Sequence, residues 1–507
     1  MSIVVFSKNK PALRGSWPLT AYYRRGTFDT SHRARHLIRT QPKPKAAKVE
    51  TRPYPFQLEP RPYQREALRR IYKAKRFLLA YEMGTGKTKI ALDFIGAMLF
   101  FRKVGRAIVI APLSVLNVWE SEIEKNWPQD KALNYVVLRP GCTPTWESAS
   151  VILTNYDYAR TLVKELMAWA PDIIVLDESH KIKNPHAKQA KMAHRLANVC
   201  RYAVALTGTP IGNHPLDLWS QFKFLVPGLL EDKFDDFKKK YVIWGGAGGY
   251  EVRKYKNLPE LASTIGPYVR SLKKKEYLDL PDKNFIEIPV EMGERARQVY
   301  RSMEQDFIAE VEKSKIINAP IVLAKLMKLS QISGGFIRDT KENKDYPLHR
   351  AKLEVLEGIC DDLVEQETKR VVIFARFLWE IQEIRKVLAP TWTTYQISGE
   401  VPEAQRKLAQ EMFNSDGGAM ICQTSSGSLG SNYQSANYCI FYSFDYSHIN
   451  FLQAQDRIHR MGQKLPCFYY ILLSKGTLDR RIYRILKEKR DVADSMIELV
   501  KEAQGRK

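Results

Sequence analysis

Unbroken apolar runs, each separated from the next by a longer amphipathic stretch, recur along this chain in two series. The first comprises RFLLA (76–80), RAIVIAP (106–112), VILTNY (151–156), DIIVLDE (172–178) and YAVALTGTP (202–210). The second comprises RVVIFAR (370–376), TTYQISG (393–399), AMICQTS (419–425), YCIFYSF (438–444) and CFYYILLS (467–474). A strand with one wet face alternates apolar and polar residues, whereas a strand covered on both faces does not. Such runs, with helical patterns like KTKIALDFIGAM (87–98) between them, predict buried parallel strands joined by crossover helices. Two series predict an α/β chain of two parallel-sheet lobes, and 507 residues is long enough for more than one core. The expected layout is a basic arm or linker over 1–53, a first lobe over 54–230, helical insertions and a connector over 231–345, a second lobe over 346–488 and a C-terminal tail over 489–507.

Composition narrows the class. The net charge of +24 favours an extended polyanion as partner, although a basic enzyme with scattered lysines has the same balance. Residues 1–53 carry twelve lysines and arginines against Asp29 and Glu50, so they read either as a nucleic-acid-binding arm or as a solvated tail. The clusters Lys238–Lys240 and Lys273–Lys275 read either as solvated helix faces or as polyanion grips. Six cysteines stand singly without a CxxC pair or a histidine at zinc spacing, the pattern of reduced thiols. The start lacks the order of a signal peptide and no stretch approaches a membrane span. The expectation is a cytoplasmic protein of a bacterial or phage-infected cell, or a nuclear one in a eukaryote, with nothing demanding more than a monomer.

YEMGTGKTKIAL (81–92) follows an apolar run and opens a helical pattern. Glycines there let backbone N–H groups approach phosphates, and the helix N-terminus favours their charge. Lys87 is placed to reach the β- and γ-phosphates, and the Thr88 hydroxyl to hold Mg²⁺; Tyr81 stands where the full phosphate-loop pattern has glycine. DIIVLDESH ends an apolar run with Asp177 and Glu178, the position at which a metal and an attacking water each need a carboxylate. Asp177 is assigned to the metal and Glu178 to positioning and deprotonating the water, so the implied chemistry is hydrolysis of a nucleoside triphosphate. In QAQDRIHRMGQ (453–463), Gln453, Arg457 and Arg460 are spaced to share one helix face, which asks for an anion. His459 and His180 lack companion ligands and read as hydrogen-bonding groups. Trp119 and Trp127 read as packing residues, and WGGAGGY (244–250) as a loop.

These segments together resemble the Swi/Snf-type DNA-dependent ATPases of helicase superfamily two, collinearly from about Arg61 to Leu486. RPYQREAL (61–68) resembles the stretch that reads adenine, with Gln64 as the contact. EMGTGKT is similar to the family's phosphate loop, with Met83, Gly84, Thr85, Gly86, Lys87 and Thr88 around ATP. APLSVLNVWESEIEKNW, DESHKIKN, LTGTPIGNHPLDLWSQFKFLVPGLL, YVRSLKKKEYLDLPDKN and the second-lobe blocks follow in the family's order. The resemblance implies two RecA-like lobes closing on one ATP, with Gln453, Arg457 and Arg460 reaching from the second lobe to the nucleotide. It also implies nucleic-acid backbone contacts at Ser114, Asn155, Tyr156, Arg376, Thr424 and Ser425. In SSGSLGSNY (425–433) the chain departs from the family at Ser428, Ser431 and Tyr433.

The implied function is an ATP-dependent translocase that hydrolyses ATP on duplex or branched DNA, with a DNA-bound protein as a second partner, in a minimal viral, phage or bacterial-like member. A strand-separating DNA or RNA helicase and an ATP-gated clamp on nucleic acid or a polymerase remain as alternatives.

Overall fold

The computed structural model describes residues 54–127, 134–141, 146, 148–245, 251–313, 319–424 and 432–505. Residues 1–53, Ser425, Ser428, Ser431 and 246–250 lie outside them, and the described residues form one compact unit.

The first lobe is built on β1 (Arg76–Tyr81), β2 (Ala107–Ala111), β3 (Tyr135–Leu138), β4 (Val151–Asn155), β5 (Ile173–Asp177) and β6 (Tyr202–Leu206). A hairpin of β7 (Val242–Gly245) and β8 (Glu251–Tyr255) follows, then β9 (Val269–Leu272), which returns to the sheet. The order is β3-β4-β2-β5-β6-β1-β9, and every pairing is parallel. All residues of β2, β4, β5 and β6 are buried, as their unbroken apolar sequences require. Separate cores cover the two faces, one around Trp119, Ile95 and Val109, the other around Phe222, Ile152 and Leu176.

The second lobe begins with β10 (Lys283–Val290) and a hairpin of β11 (Phe336–Asp339) and β12 (Lys344–Pro347). It continues through β13 (Arg370–Ala375), β14 (Thr394–Ile397), β15 (Gly418–Gln423), β16 (Tyr438–Phe441) and β17 (Cys467–Ser474). Its six-stranded sheet, β10-β17-β16-β13-β15-β14, is again parallel throughout.

Two segments differ from the expected layout. Residues 231–345 contain helices but also β9, which extends the first sheet, and β10, which edges the second. Strand β10, KNFIEIPV, is half-exposed along much of its length, so it lacks the unbroken apolar run that marks an interior strand. Residues 489–505 are not a tail: one helix runs Leu478–Gly505. Its first half packs Leu478, Ile482, Tyr483 and Leu486 into the second lobe, and its second half packs Ala493, Met496 and Val500 into the first. Each larger side chain buried this way contributes about 1.5–3 kcal/mol, so the helix binds one lobe to the other. Among the described residues no helix is long and apolar enough to cross a membrane.

Candidate nucleotide site and adjoining groove

Strand β1 ends at Tyr81 and the helix Lys87–Phe100 begins six residues later, with Gly84 (φ +81°) and Gly86 (φ +79°) in the left-handed region that favours glycine. A side chain on Gly86 would meet Gln64 Nε2 at 2.6 Å. Gln64 is thus seated on the loop: its Oε1 accepts from Arg61 N (2.9 Å) and its Nε2 donates to Thr85 O (3.5 Å). The Tyr63 hydroxyl donates to the same carbonyl (3.0 Å). The Lys87 ammonium is folded back onto the strand end, donating to Tyr81 O (2.8 Å) and Glu82 O (3.3 Å). The Tyr81 side chain points into the core while its carbonyl faces the loop.

Strand β5 delivers Asp177 and Glu178 at its C-terminal end, the end at which parallel sheets bind ligands. Glu178 has φ +51°, an uncommon backbone for a residue with a Cβ. Asp177 Oδ2 accepts from the Trp119 indole (2.8 Å), Oδ1 from Glu178 N (3.0 Å), and its carbonyl from the Tyr156 hydroxyl (2.7 Å). Burial and then the neighbouring Glu178 charge push the Asp177 carboxyl up to about 6. Burial also acts upward on Glu178, but His180, Lys87 and Arg457 outweigh it and hold that carboxyl below its ordinary value. His180 Nδ1 lies 3.2 Å from Glu178 Oε2 and 3.4 Å from Thr207 Oγ1.

The second lobe supplies the other wall. Gln453 lies on the helix His448–Gln455, capped by Ser447, but Arg457 and Arg460 do not continue its face. The helix ends in a turn at Asp456, whose carboxylate pairs with Lys274 (2.9 Å) and Lys283 (3.1 Å). That turn brings Arg460 to the phosphate loop, where its Cβ lies 3.7 Å from the position a Cβ on Gly84 would take. Arg457 is buried, and burial followed by the charge of Arg460 lowers its guanidinium to about 10. Glu178 of the first lobe acts on it in the opposite direction. A cavity of about 490 Å³ between the lobes is lined by Met83, Glu178, Gln453, Asp456 and His459 among others. On the Gln64 side, Arg61 Nη2 donates to Met461 Sδ of the second lobe (3.2 Å).

A wider groove of about 1390 Å³ runs between the lobes, lined by Ser114, Asn117, Asn155, Tyr156, Lys181, Arg406 and Lys407 among others. Asn117 reaches across it to Glu403. Of the six expected nucleic-acid contacts, Ser114, Asn155 and Tyr156 lie here. Asn155 Oδ1 caps the helix Tyr156–Thr161, accepting from Asp157 N and Tyr158 N, both at 3.0 Å. Tyr156 is buried at the groove wall, and its hydroxyl donates to the Asp177 backbone carbonyl. Arg376 and Thr424 stand at neighbouring strand ends in the second lobe, away from this lining. Arg376 donates to Ser330 Oγ (3.3 Å) over the Phe377 ring, and Thr424 Oγ1 to Ala375 O (3.1 Å). The departure at Tyr433 is an inward one: its ring is buried against Phe413 and its N–H donates to Arg457 O.

Sequence reasoning missed three participants. Trp119 and Trp127 are buried, but the Trp119 indole also fixes Asp177. Lys274 and Asp456 tie the second-lobe turn to the connector. A tryptophan at an apolar helix position and one lysine among three give no signal of such roles.

Two parallel-sheet lobes facing one phosphate loop define the class, and the comparisons with known proteins agree. Residues 63–334 match the SNF2-related domain and residues 351–462 the helicase conserved C-terminal domain. The chain belongs to the SNF2-related family. An uncharacterised ATP-dependent helicase of Mycoplasma genitalium is 26% identical over 425 residues, which are 82% of this chain and 40% of that protein. The human DNA excision repair protein ERCC-6 is 26% identical over 463 residues, 80% of this chain and 30% of that protein. The chain thus spans less than half the length of these relatives. Among solved structures, the Sulfolobus solfataricus SWI2/SNF2 ATPase core in complex with dsDNA is 26% identical, with 88% of this chain and 94% of that chain covered and a TM-score of 0.42.

Proposed function

We propose that this chain is a DNA-dependent ATPase that uses hydrolysis to move along duplex or branched DNA and remodel what is bound there. The observation that carries the reading is the approach of Arg460, from the second lobe, to the phosphate loop of the first. In such a site Lys87 swings from the Tyr81 and Glu82 carbonyls to the phosphates, and Gln64 and Arg61 face the base. Glu178, held ionised by its cationic neighbours, orients the attacking water and takes its proton. Arg457 and Arg460 meet the charge that spreads over the transferring phosphoryl group, an effect of roughly 10³–10⁵ in rate in related reactions.

Thr88 at the start of the phosphate-loop helix and Asp177 at the end of β5, beside the buried Glu178 carboxylate, are the residues that would hold Mg²⁺. Bound there, the ion supplies charge neutralisation at the phosphates.

Closure around triphosphate and relaxation around diphosphate make a two-state element. The groove shares walls with the nucleotide site: Trp119 and Tyr156 sit on segments that line the groove and both touch Asp177. Alternating grip on a nucleic-acid backbone would then move the chain along it. The names of the relatives, an ATP-dependent helicase and a DNA excision repair protein, support the same reading.

The test is the steady-state ATPase rate without nucleic acid and with single-stranded DNA, duplex DNA, branched DNA or RNA at one low salt concentration. Strong stimulation by duplex or branched DNA is expected. Stimulation by single strands or RNA alone would replace the translocase with a strand-separating helicase. Stimulated hydrolysis that leaves a triplex-forming strand in place would replace it with a clamp.

A further inference from the structure

Within the cluster Lys273–Lys275 only Lys275 is exposed. Lys273 pairs with Asp494 and Glu498 on the helix Leu478–Gly505, and Lys274 is 3% exposed. The backbone N–H of Lys274 donates to the Glu82 carboxylate (2.9 Å), and Glu82 N donates to Leu272 O (3.1 Å). The start of the phosphate loop is therefore fixed to the connector at two points. The Lys274 ammonium reaches the other way, donating to His459 O (2.8 Å) and pairing with Asp456 (2.9 Å). Asp456 and His459 flank Arg457 and precede Arg460. Burial alone would raise the Asp456 carboxyl, but Lys274 and Lys283 hold it far below the ordinary range.

We propose that Lys274 is a positioning residue for ATP hydrolysis: it sets Arg457 and Arg460 over the phosphate loop by clasping the turn that carries them, while its own backbone is pinned to Glu82. The inference rests on the nucleotide site proposed above. The arginine turn lies beyond the end of its helix and keeps only scattered backbone bonds, Arg457 N to Ala454 O (3.2 Å) and His459 N to Gln455 O (3.3 Å) among them, so side-chain ties add to its placement. Lys283 also reaches Asp456, and the His459 ring meets Pro281 O (2.8 Å). Lys274 alone of these links the turn to a residue bonded directly to the phosphate loop. A misplacement of about 1 Å at a reacting centre lowers rate by as much as ~10²-fold, so a clasp at this point acts on turnover rather than on affinity. Removing Lys274 leaves Asp456 paired with Lys283, which spares the fold an isolated buried charge.

The experiment measures DNA-stimulated turnover and KM for ATP on the full chain for Lys274→Met, Lys274→Arg, Arg457→Ala and the Lys274→Met/Arg457→Ala pair. Lys274→Met should lower kcat about tenfold or more, with KM within about twofold and Lys274→Arg recovering most of the loss. In the Arg457→Ala background the same substitution should lower kcat by a clearly smaller factor than in the wild type, because one of the two groups it positions is gone. Equal factors in both backgrounds, or wild-type turnover in Lys274→Met, would overturn the inference. Undiminished turnover in Arg457→Ala would overturn the site reading itself, a distinct result. Should Lys274→Met lower the thermal midpoint into the assay range, Asp456→Asn removes the ion pair of the clasp at its other end and leaves the Lys274 bond to His459 O. It should reproduce the kcat loss; wild-type turnover there would overturn the proposal.

Discussion

On the nucleotide side of the seam between the lobes, Gln64, Lys87, Asp177, Glu178, Gln453 and Arg457 are all at most 9% exposed. On the groove side, Leu113 is 59% and Val118 41% exposed, and the opening is nearly three times as large. The same two lobes thus frame one site whose charged side chains are buried and another whose lining is more exposed. Charges act strongly in the first because little solvent screens them, whereas in the second each contact is screened and the sum decides. The lesson is that single substitutions should disable the first site and only tune the second.

The largest effects therefore belong to the buried side. Lys87→Ala and Glu178→Gln should lower turnover on the order of 10³-fold or more, with Glu178→Gln still binding ATP in an equilibrium assay. Arg460→Ala should lower it by roughly 10³–10⁵ while its DNA affinity, read by fluorescence anisotropy, is unchanged. Normal turnover in Arg460→Ala would break the comparison, since the approach of one lobe to the other would then carry no chemistry.

A smaller effect is expected at Trp119, which bridges the two sides. Trp119→Phe keeps a ring in the core and removes the indole donor to Asp177 Oδ2. Losses of such supporting hydrogen bonds cost about 10–100-fold, and turnover should fall within that range with the melting temperature nearly unchanged. A fall in stability without a fall in turnover would return Trp119 to plain packing.

On the groove side, Arg406→Ala with Lys407→Ala should weaken DNA binding several-fold at low salt. The slope of log affinity against log salt should become shallower by about 1–2, roughly one for each phosphate that the variant no longer neutralises. Turnover at saturating DNA should stay the same. A drop in turnover that saturating DNA fails to restore would show that the groove acts directly on the chemistry.

How far the sequence announced these sites follows the same division. The buried strands, and with them the strand-end places of the 81–88 loop and the Asp177–Glu178 pair, were legible because a parallel strand needs an unbroken apolar run and a glycine-rich loop is a short contiguous segment. The turn at Asp456 was not, because the ion pairs that hold it come from Lys274 and Lys283, far earlier in the chain. Strand β10 and the helix reaching Gly505 were missed for a similar reason. An edge strand and an amphipathic helix take their places from partners distant in sequence, and local periodicity does not encode the partner. Tyr156 shows the limit of carrying roles over by motif: its hydroxyl reaches Asp177 O, which spacing alone could not indicate.

The smallest effect expected concerns a second buried glutamate, which sharpens the comparison by contrast with Glu178. Glu380 lies at the start of the helix Leu378–Leu388, fully buried, where its Oε2 accepts from Arg376 N, Phe377 N and the Ser443 hydroxyl. Glu178 is held ionised by His180, Lys87 and Arg457; in Glu380 burial outweighs these bonds and the more distant Lys352, and its carboxyl rises to about 7. Between the ordinary value of 4.5 and about 7 the folded chain retains a proton that the unfolded chain has released. Stability therefore falls as pH rises through that window, by roughly 3 kcal/mol at most. Glu380→Gln removes the titration while keeping an acceptor for the three donors. Its melting temperature relative to wild type should be higher at pH 8 than at pH 5, with ATP turnover unaffected. An equal difference at both pH values would mean that Glu380 is ionised throughout, and that burial alone does not separate the carboxylate of the nucleotide site from its counterpart in the second lobe.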